Sequence, residues 1–163
     1  MMADLAVTAG VDLAIQFTDY WPLSDSLLLG ALPTAPSCAR SHIRLVLAEW
    51  KMAALTDAAA LVVSELVTNS VRASAGTDGH PLHRDGVLAA LRLRIFADGT
   101  LLVLEVWDTI PAAPAARLAG PDDEGGRGLW LVDMMTDRWG WTTAHGWPGK
   151  VVWAELSGKD EEP

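Results

Sequence analysis

Residues 61–70 read LVVSELVTNS, an apolar run interrupted by Glu65 and Asn69. A spacing of four residues puts both polar side chains on one face of a helix. Asp57 supplies an N-cap, Leu61, Leu66 and Val67 an apolar stripe, and Gly76 a stop. Together they predict a helix from Ala58 to about Ser74. An isolated Glu–Asn pair is most often a solvated face. Inside so apolar a run it faces either solvent or a polar cleft. A cleft-facing pair offers a base and a neutral oxygen ligand, and Mg²⁺ takes few protein oxygens, leaving its other positions to water and phosphates.

Upstream, Ile43, Val46, Leu47 and Trp50 recur at helical spacing, which predicts a helix from Ser37, as N-cap, to Trp50. Residues 11–36, with Pro22, Pro33 and Pro36, have room for a short strand or two. Downstream, residues 75–86 read as loop and residues 87–97 and 100–107 as strands. Leu91, Leu93 and Ile95 alternate with Arg92 and Arg94, while LLVLEVW is nearly all apolar and belongs at the centre of a sheet. Asp98-Gly99 between them is a hairpin signal in which both central positions take positive φ. Residues 109–125 are rich in Pro, Ala and Gly, and so long an irregular stretch is usually functional or disordered. A third helix follows Gly126 and runs to about Arg138. Closing strands near 139–145 and 150–156 flank a turn from His145 to Gly149.

Two further features can carry chemistry. Asp108 ends the central strand, where its carboxylate can accept a hydrogen bond from an exocyclic amino group; alone, it reads as a strand-ending turn residue. Gly125-Gly126-Arg127-Gly128 opens a helix. Glycines there let an anion approach the backbone, and free N–H groups and an Arg can hold phosphate. Alone, such a cluster is often only a flexible turn.

Composition bounds the alternatives. A chain of 163 residues, half of them apolar, fits one mixed α/β domain. A net charge of −9 argues against direct nucleic-acid binding, which relies on Lys and Arg. Cys38, the one cysteine, reads as a small apolar residue near a helix start and suits a reducing compartment. Residues 1–10 lack signal-peptide character, and no stretch reads as apolar enough to cross a membrane, so a cytoplasmic protein is expected. Trp107, Trp139, Trp141 and Trp153 read as core. For Trp130, packing is favoured over a partner-facing anchor. His42, His80, His83 and His145 show no metal-ligand spacing.

The order of these features narrows the reading. A helix with E-x-x-x-N is followed by a strand ending in Asp, a loop, and G-x-G opening a helix. SELVTNSVRAS resembles an N-box, EVWDTIPAAP a G1 box, DDEGGRGLWLVDMMTDRWGW a G2 box and PGKVVWAEL a closing strand of the GHKL ATPases. The nearest resemblance is to the single-domain anti-sigma-factor serine/threonine kinases of actinomycetes, over roughly residues 30–156.

That resemblance implies a Bergerat (GHKL) fold, an α/β two-layer sandwich with a mixed, mostly antiparallel sheet and helices on one face. It implies a flexible 1–10, an ATPase/kinase domain over 11–156 with an ATP lid at about 109–125, and an acidic tail at 157–163. Glu65 takes the place of the general base and Asn69 that of the Mg²⁺ ligand. Asp108 falls where adenine is read, and Gly126, Arg127, Gly128 and Leu129 fall at the ATP phosphates. The implied partners are a sigma factor and an anti-sigma-factor antagonist, the latter phosphorylated on Ser or Thr. Homodimers are common among relatives. Three departures stand out. Thr109, Ile110 and Pro111 replace the glycines usual after the Asp, Ala73 replaces a His, and Val151 replaces a Thr that supports the adenine site. They keep open a second reading, a nucleotide-gated partner-binding module with little kinase activity.

Overall fold

The computed structural model describes residues 21–114, 127–144 and 146–158, apart from the side chains of Arg84 and Arg127. Residues 1–10, most of the 109–125 loop, Gly126, His145 and the end of the acidic tail lie outside the described residues.

Strand β1 (Leu23–Gly30) leads into α1 (Ala35–Glu49), a 3₁₀ turn (Ala53–Leu55) and α2 (Thr56–Ala73). Then come β2 (His83–Arg84), β3 (Val87–Leu88), β4 (Ala90–Ala97), β5 (Leu101–Asp108), α3 (Arg127–Met135), β6 (Arg138–Thr143) and β7 (Lys150–Ser157). Five strands form one sheet in the order β1-β4-β5-β7-β6, with every neighbour antiparallel. The apolar β5 is the middle strand. β2, inside the stretch expected as loop, pairs with β3, the start of the expected strand 87–97, as a separate small pair.

Alternation along the strands decides which side chains meet the helices. Leu91, Leu93 and Ile95 of β4, Leu102, Leu104 and Val106 of β5, and Val152, Ala154 and Leu156 of β7 share one cluster with α1, α2 and Val132 of α3. In α2 the buried positions are Ala59, Ala60, Val62, Val63, Leu66, Val67 and Ser70, a single helical stripe. Contrary to the sequence expectation, the helical run Ala53–Ala73 is long and apolar enough to cross a membrane by length and composition. Here its apolar stripe is core. Asp25 of β1 and His42 of α1 meet at 2.6 Å and tie the sheet edge to the helix.

Several local expectations are corrected. The helices begin earlier than their expected caps. Ser37 lies within the first turn of α1, its hydroxyl donating to the Thr34 carbonyl at 2.9 Å. Asp57 lies in the first turn of α2, where a carboxylate suits the helix dipole. The β4–β5 turn is centred on Gly99 and Thr100. Asp98 N–H donates to the Leu101 carbonyl, and only Gly99 has positive φ, at 97°. The Asp98 carboxylate accepts from Thr100 N, Thr100 Oγ1 and Leu101 N. These bonds, the backbone N–H groups foremost, lower its pKa. Cys38 is exposed. Trp130 is 61% exposed, so it is not a packing residue of this chain's core. Trp153 is buried, Trp139 and Trp141 are partly buried and pack against the core cluster, and Trp107 lies half-buried on the far face of the sheet.

Candidate functional site

Glu65 and Asn69 lie beside the buried stripe of α2, each partly accessible. That placement follows from helical geometry, because the stripe includes Leu66 and Ser70, one residue further on in each case. α3 packs across α2, and its second residue, Gly128, meets the Glu65 side chain. A Cβ at Gly128 would sit 2.5 Å from Glu65 Oε2. The glycine therefore lets the first turn of α3 close over the carboxylate. The Asn69 side-chain nitrogen is buried with no hydrogen-bond partner. A buried polar atom left unpaired costs about 1–3 kcal/mol, and Asn69 shares that condition with Ser70, Ser74, Glu105, Asp108 and Trp153 among the described residues.

Leu129, next in α3, is 6% exposed and packs inward. Arg127 begins the helix, while Gly126 falls outside the described residues. The structure thus brings Glu65 and Gly128 together.

The other half of the site is built at the end of β5. Asp108 shares the parity of Val106 and Leu104, so its side chain enters the helix side of the sheet, where it is 0% exposed. Its Oδ1 accepts from Ile110 N–H at 2.9 Å and from Lys150 Nζ at 2.9 Å. The ammonium also donates to the Ile110 carbonyl at 3.1 Å. The second oxygen, Oδ2, is buried with no partner. Gly149 precedes the lysine with φ 101°, and a Cβ there would collide with the Asp108 carbonyl and the Thr109 backbone. The turn into β7 is thereby pressed against the end of β5.

Lys150 and Gly149 were missed by the sequence reading, which placed the supporting position at Val151. Val151 pairs with Trp107, and Lys150 pairs with Asp108. By alternation Val151 points to the opposite face, where it lines another cavity. A signal was available: Val152, Ala154 and Leu156 mark the inward parity of the closing strand, and a lysine on that parity needs a buried counter-charge.

That other cavity, of about 440 Å³, lies on the face of the sheet away from Asp108 and is lined by Arg92, Arg94, Glu105, Trp107, Trp147 and Val151 among others. Glu105 is 1% exposed and accepts from Arg94 Nε at 2.9 Å and from Nη2. Burial pushes the Glu105 carboxyl up, and the Arg94 charge opposes it.

The residues fit a nucleotide with a divalent ion. They provide an unpartnered buried acceptor at Asp108, a side-chain amide at Asn69 whose oxygen is of the kind Mg²⁺ takes, and a helix start free of a side chain at Gly128.

Residues 32–156 match the family described as histidine kinase-like ATPase domain. Among solved structures, the chain is similar to the RsbU and RsbW domains of Rv1364c from Mycobacterium tuberculosis, with a TM-score of 0.52 and 17% identity. The match covers 83% of this chain and 32% of that one, so this chain spans about a third of that relative's length and the likeness is one of fold. Among curated proteins, none matches. The family match extends over most of the sequence and over every element from α1 to β7, and the protein belongs to the histidine kinase-like ATPase domain family, of the GHKL type.

Proposed function

We propose that the protein binds Mg²⁺–ATP between α2, the start of α3 and the ends of β5 and β7. It transfers a phosphoryl group to a Ser or Thr of an anti-sigma-factor antagonist, and it also binds a sigma factor. The observation that carries this reading is the approach of Gly128 to the Glu65 carboxylate. It sets a base beside a helix N-terminus, where backbone N–H groups and the helix dipole favour phosphate.

Bound ATP supplies the phosphoryl group and Mg²⁺ offsets its charge. Asn69 would hold the ion through its side-chain oxygen. Gly126, Arg127, Gly128 and Leu129 would hold the phosphates, and Asp108 Oδ2 would accept from the adenine amino group. Glu65 would take the proton of the attacking hydroxyl as its oxygen bonds to the γ-phosphorus and the bond from that phosphorus to the bridging oxygen breaks, ADP leaving with that oxygen. Transfer of this kind asks the protein mainly for positioning and electrostatic stabilisation. The family membership and the fold likeness support the nucleotide part of this reading, while the partners rest on the resemblance of the boxes to anti-sigma-factor kinases.

The test compares wild type with Glu65→Ala and Asn69→Ala. Mg²⁺-dependent ATP binding by wild type, loss of that dependence in Asn69→Ala, and loss of antagonist phosphorylation in Glu65→Ala are expected. Partner regulation that persists unchanged in Glu65→Ala would leave a nucleotide-gated binding module and remove the kinase.

A further inference from the structure

We propose that Lys150 sets the base preference of this site by holding Asp108 as an acceptor-only carboxylate; the inference rests on the nucleotide reading above. Three observations carry it. Lys150 is 3% exposed in its side chain and Asp108 0%, so the pair is sealed from solvent. Oδ1 is already taken by Lys150 and by Ile110 N–H, which leaves Oδ2 as the free acceptor. The ammonium cannot drift away, because it also holds the Ile110 carbonyl and its own strand is pinned by Gly149 against Asp108.

The charged surroundings of Asp108 are simple. On the helix side, β4 contributes the apolar Leu91, and β7 contributes Lys150. Beside its buried stripe α2 carries the titratable Glu65 and the neutral Asn69, with Arg72 exposed. Among the described residues, Lys150 is the cation that donates to Asp108.

The chemistry follows from the two forms of a carboxyl group. A carboxylate only accepts, whereas a carboxylic acid also donates. An accepting Oδ2 suits a 6-amino purine and leaves a 6-keto purine with oxygen facing oxygen. A wholly buried carboxyl group without a counter-charge takes up a proton rather than remain ionised. Its O–H could then donate to a keto oxygen. Lys150 thus decides whether Asp108 reads an amino or a keto group.

ITP carries a keto oxygen in place of the 6-amino group of ATP, and with it a proton on N1 where ATP has an acceptor; the affinities of the two are compared on the full chain with Mg²⁺. The proteins are wild type, Lys150→Met and Lys150→Arg, each checked by circular dichroism and thermal melting. Wild type is expected to favour ATP by about 10- to 100-fold, the scale of one charged hydrogen bond. In Lys150→Met the ratio falls toward unity. Lys150→Arg returns the charge and the preference for ATP. Should Lys150→Met not fold, Lys150→Gln carries the same comparison. A folded neutral variant with the wild-type ratio overturns the inference and leaves the nucleotide site standing. Wild type that binds neither nucleotide removes the site itself.

Discussion

Replacing Gly128 by alanine separates stability from activity. A Cβ at Gly128 would lie 2.5 Å from Glu65 Oε2, and ordinary contact needs roughly 3.5 Å. Something must yield by about 1 Å, and the end of a partly accessible glutamate yields more readily than two packed helices. A displaced rotamer costs about 0.5–1.5 kcal/mol. Alanine in place of a helical glycine returns up to about 1 kcal/mol. The two nearly cancel, so the melting temperature should stay within about 4 °C of wild type.

Activity has no such offset. A base moved by about 1 Å from a reacting atom can cost on the order of 10²-fold in rate. Mg²⁺–ATP turnover, measured alone and with an antagonist, should fall by about that factor while the fold persists. Glu65→Gln should cost about 10²- to 10⁴-fold, and adding Gly128→Ala to it should cost less than the alanine costs in wild type, since part of its effect is the displaced carboxylate. Independent effects would add instead. Wild-type turnover in a folded Gly128→Ala protein, or fully additive losses in the double variant, would refute the placement of Glu65 as base.

The remaining predictions concern the frame around the site. Lys51 sits at φ 58° just past α1, with its N–H on Ala48 O and the Met52 N–H on Leu47 O. This is a Schellman turn that favours glycine; Lys51→Gly should stabilise the protein by about 1 kcal/mol in urea melts, and destabilisation would contradict the geometry. Gly149→Ala should cost about 2–4 kcal/mol by the same assay, because it meets backbone at positive φ; a neutral result would mean the β6–β7 turn is not pressed on Asp108. Burial raises the folded pKa of Glu105 above the ordinary glutamate value of 4.5, against the lowering charge of Arg94. Its contribution is therefore fully present below that value and is lost as pH rises through the raised one. The stability difference between Glu105→Gln and wild type should then move in favour of glutamine with rising pH, and a difference flat in pH would show that Glu105 does not titrate in this way.

Much of this architecture was legible because it is local. The period-two pattern of β4 and β5 and the stripe of α2 are written in consecutive residues, and each appears where its pattern falls. Ends and turns were less legible. α1 starts at Ala35 with a proline in its first turn and no side-chain cap, and α2 runs directly out of the 3₁₀ turn Ala53–Leu55. Packing of Leu55 and Ala59 into the core outweighs the local preference of Asp57 for a cap. The expected strand 87–97 breaks at Ala89 because that residue serves two other partners, donating to Leu82 O and accepting from Ala31 N. Tertiary contacts of this kind leave no trace in the run of side chains.

Lys150 bears most directly on what the protein does. Its contact with Asp108 spans 42 residues and depends on the register of β7 against β5. A slip of one residue would turn it to the opposite face. With the register known, two of the departures in the sequence change their weight. Val151 faces Trp107 and the far cavity, so the missing hydroxyl there takes nothing from the Asp108 side. The inflexible Thr109-Ile110-Pro111 segment is not a defect beneath the base, since Ile110 supplies both an N–H to Asp108 and a carbonyl to Lys150. The glycine-poor segment is stiffened around the ion pair, and pre-organisation of a reading group favours affinity by lowering the ordering cost of binding. Of the three departures that favoured a binding module, only Ala73 still removes a polar group from α2, and it lies four residues beyond Asn69. Two of the three departures therefore weigh less against the proposed kinase reading than their positions in the sequence suggest.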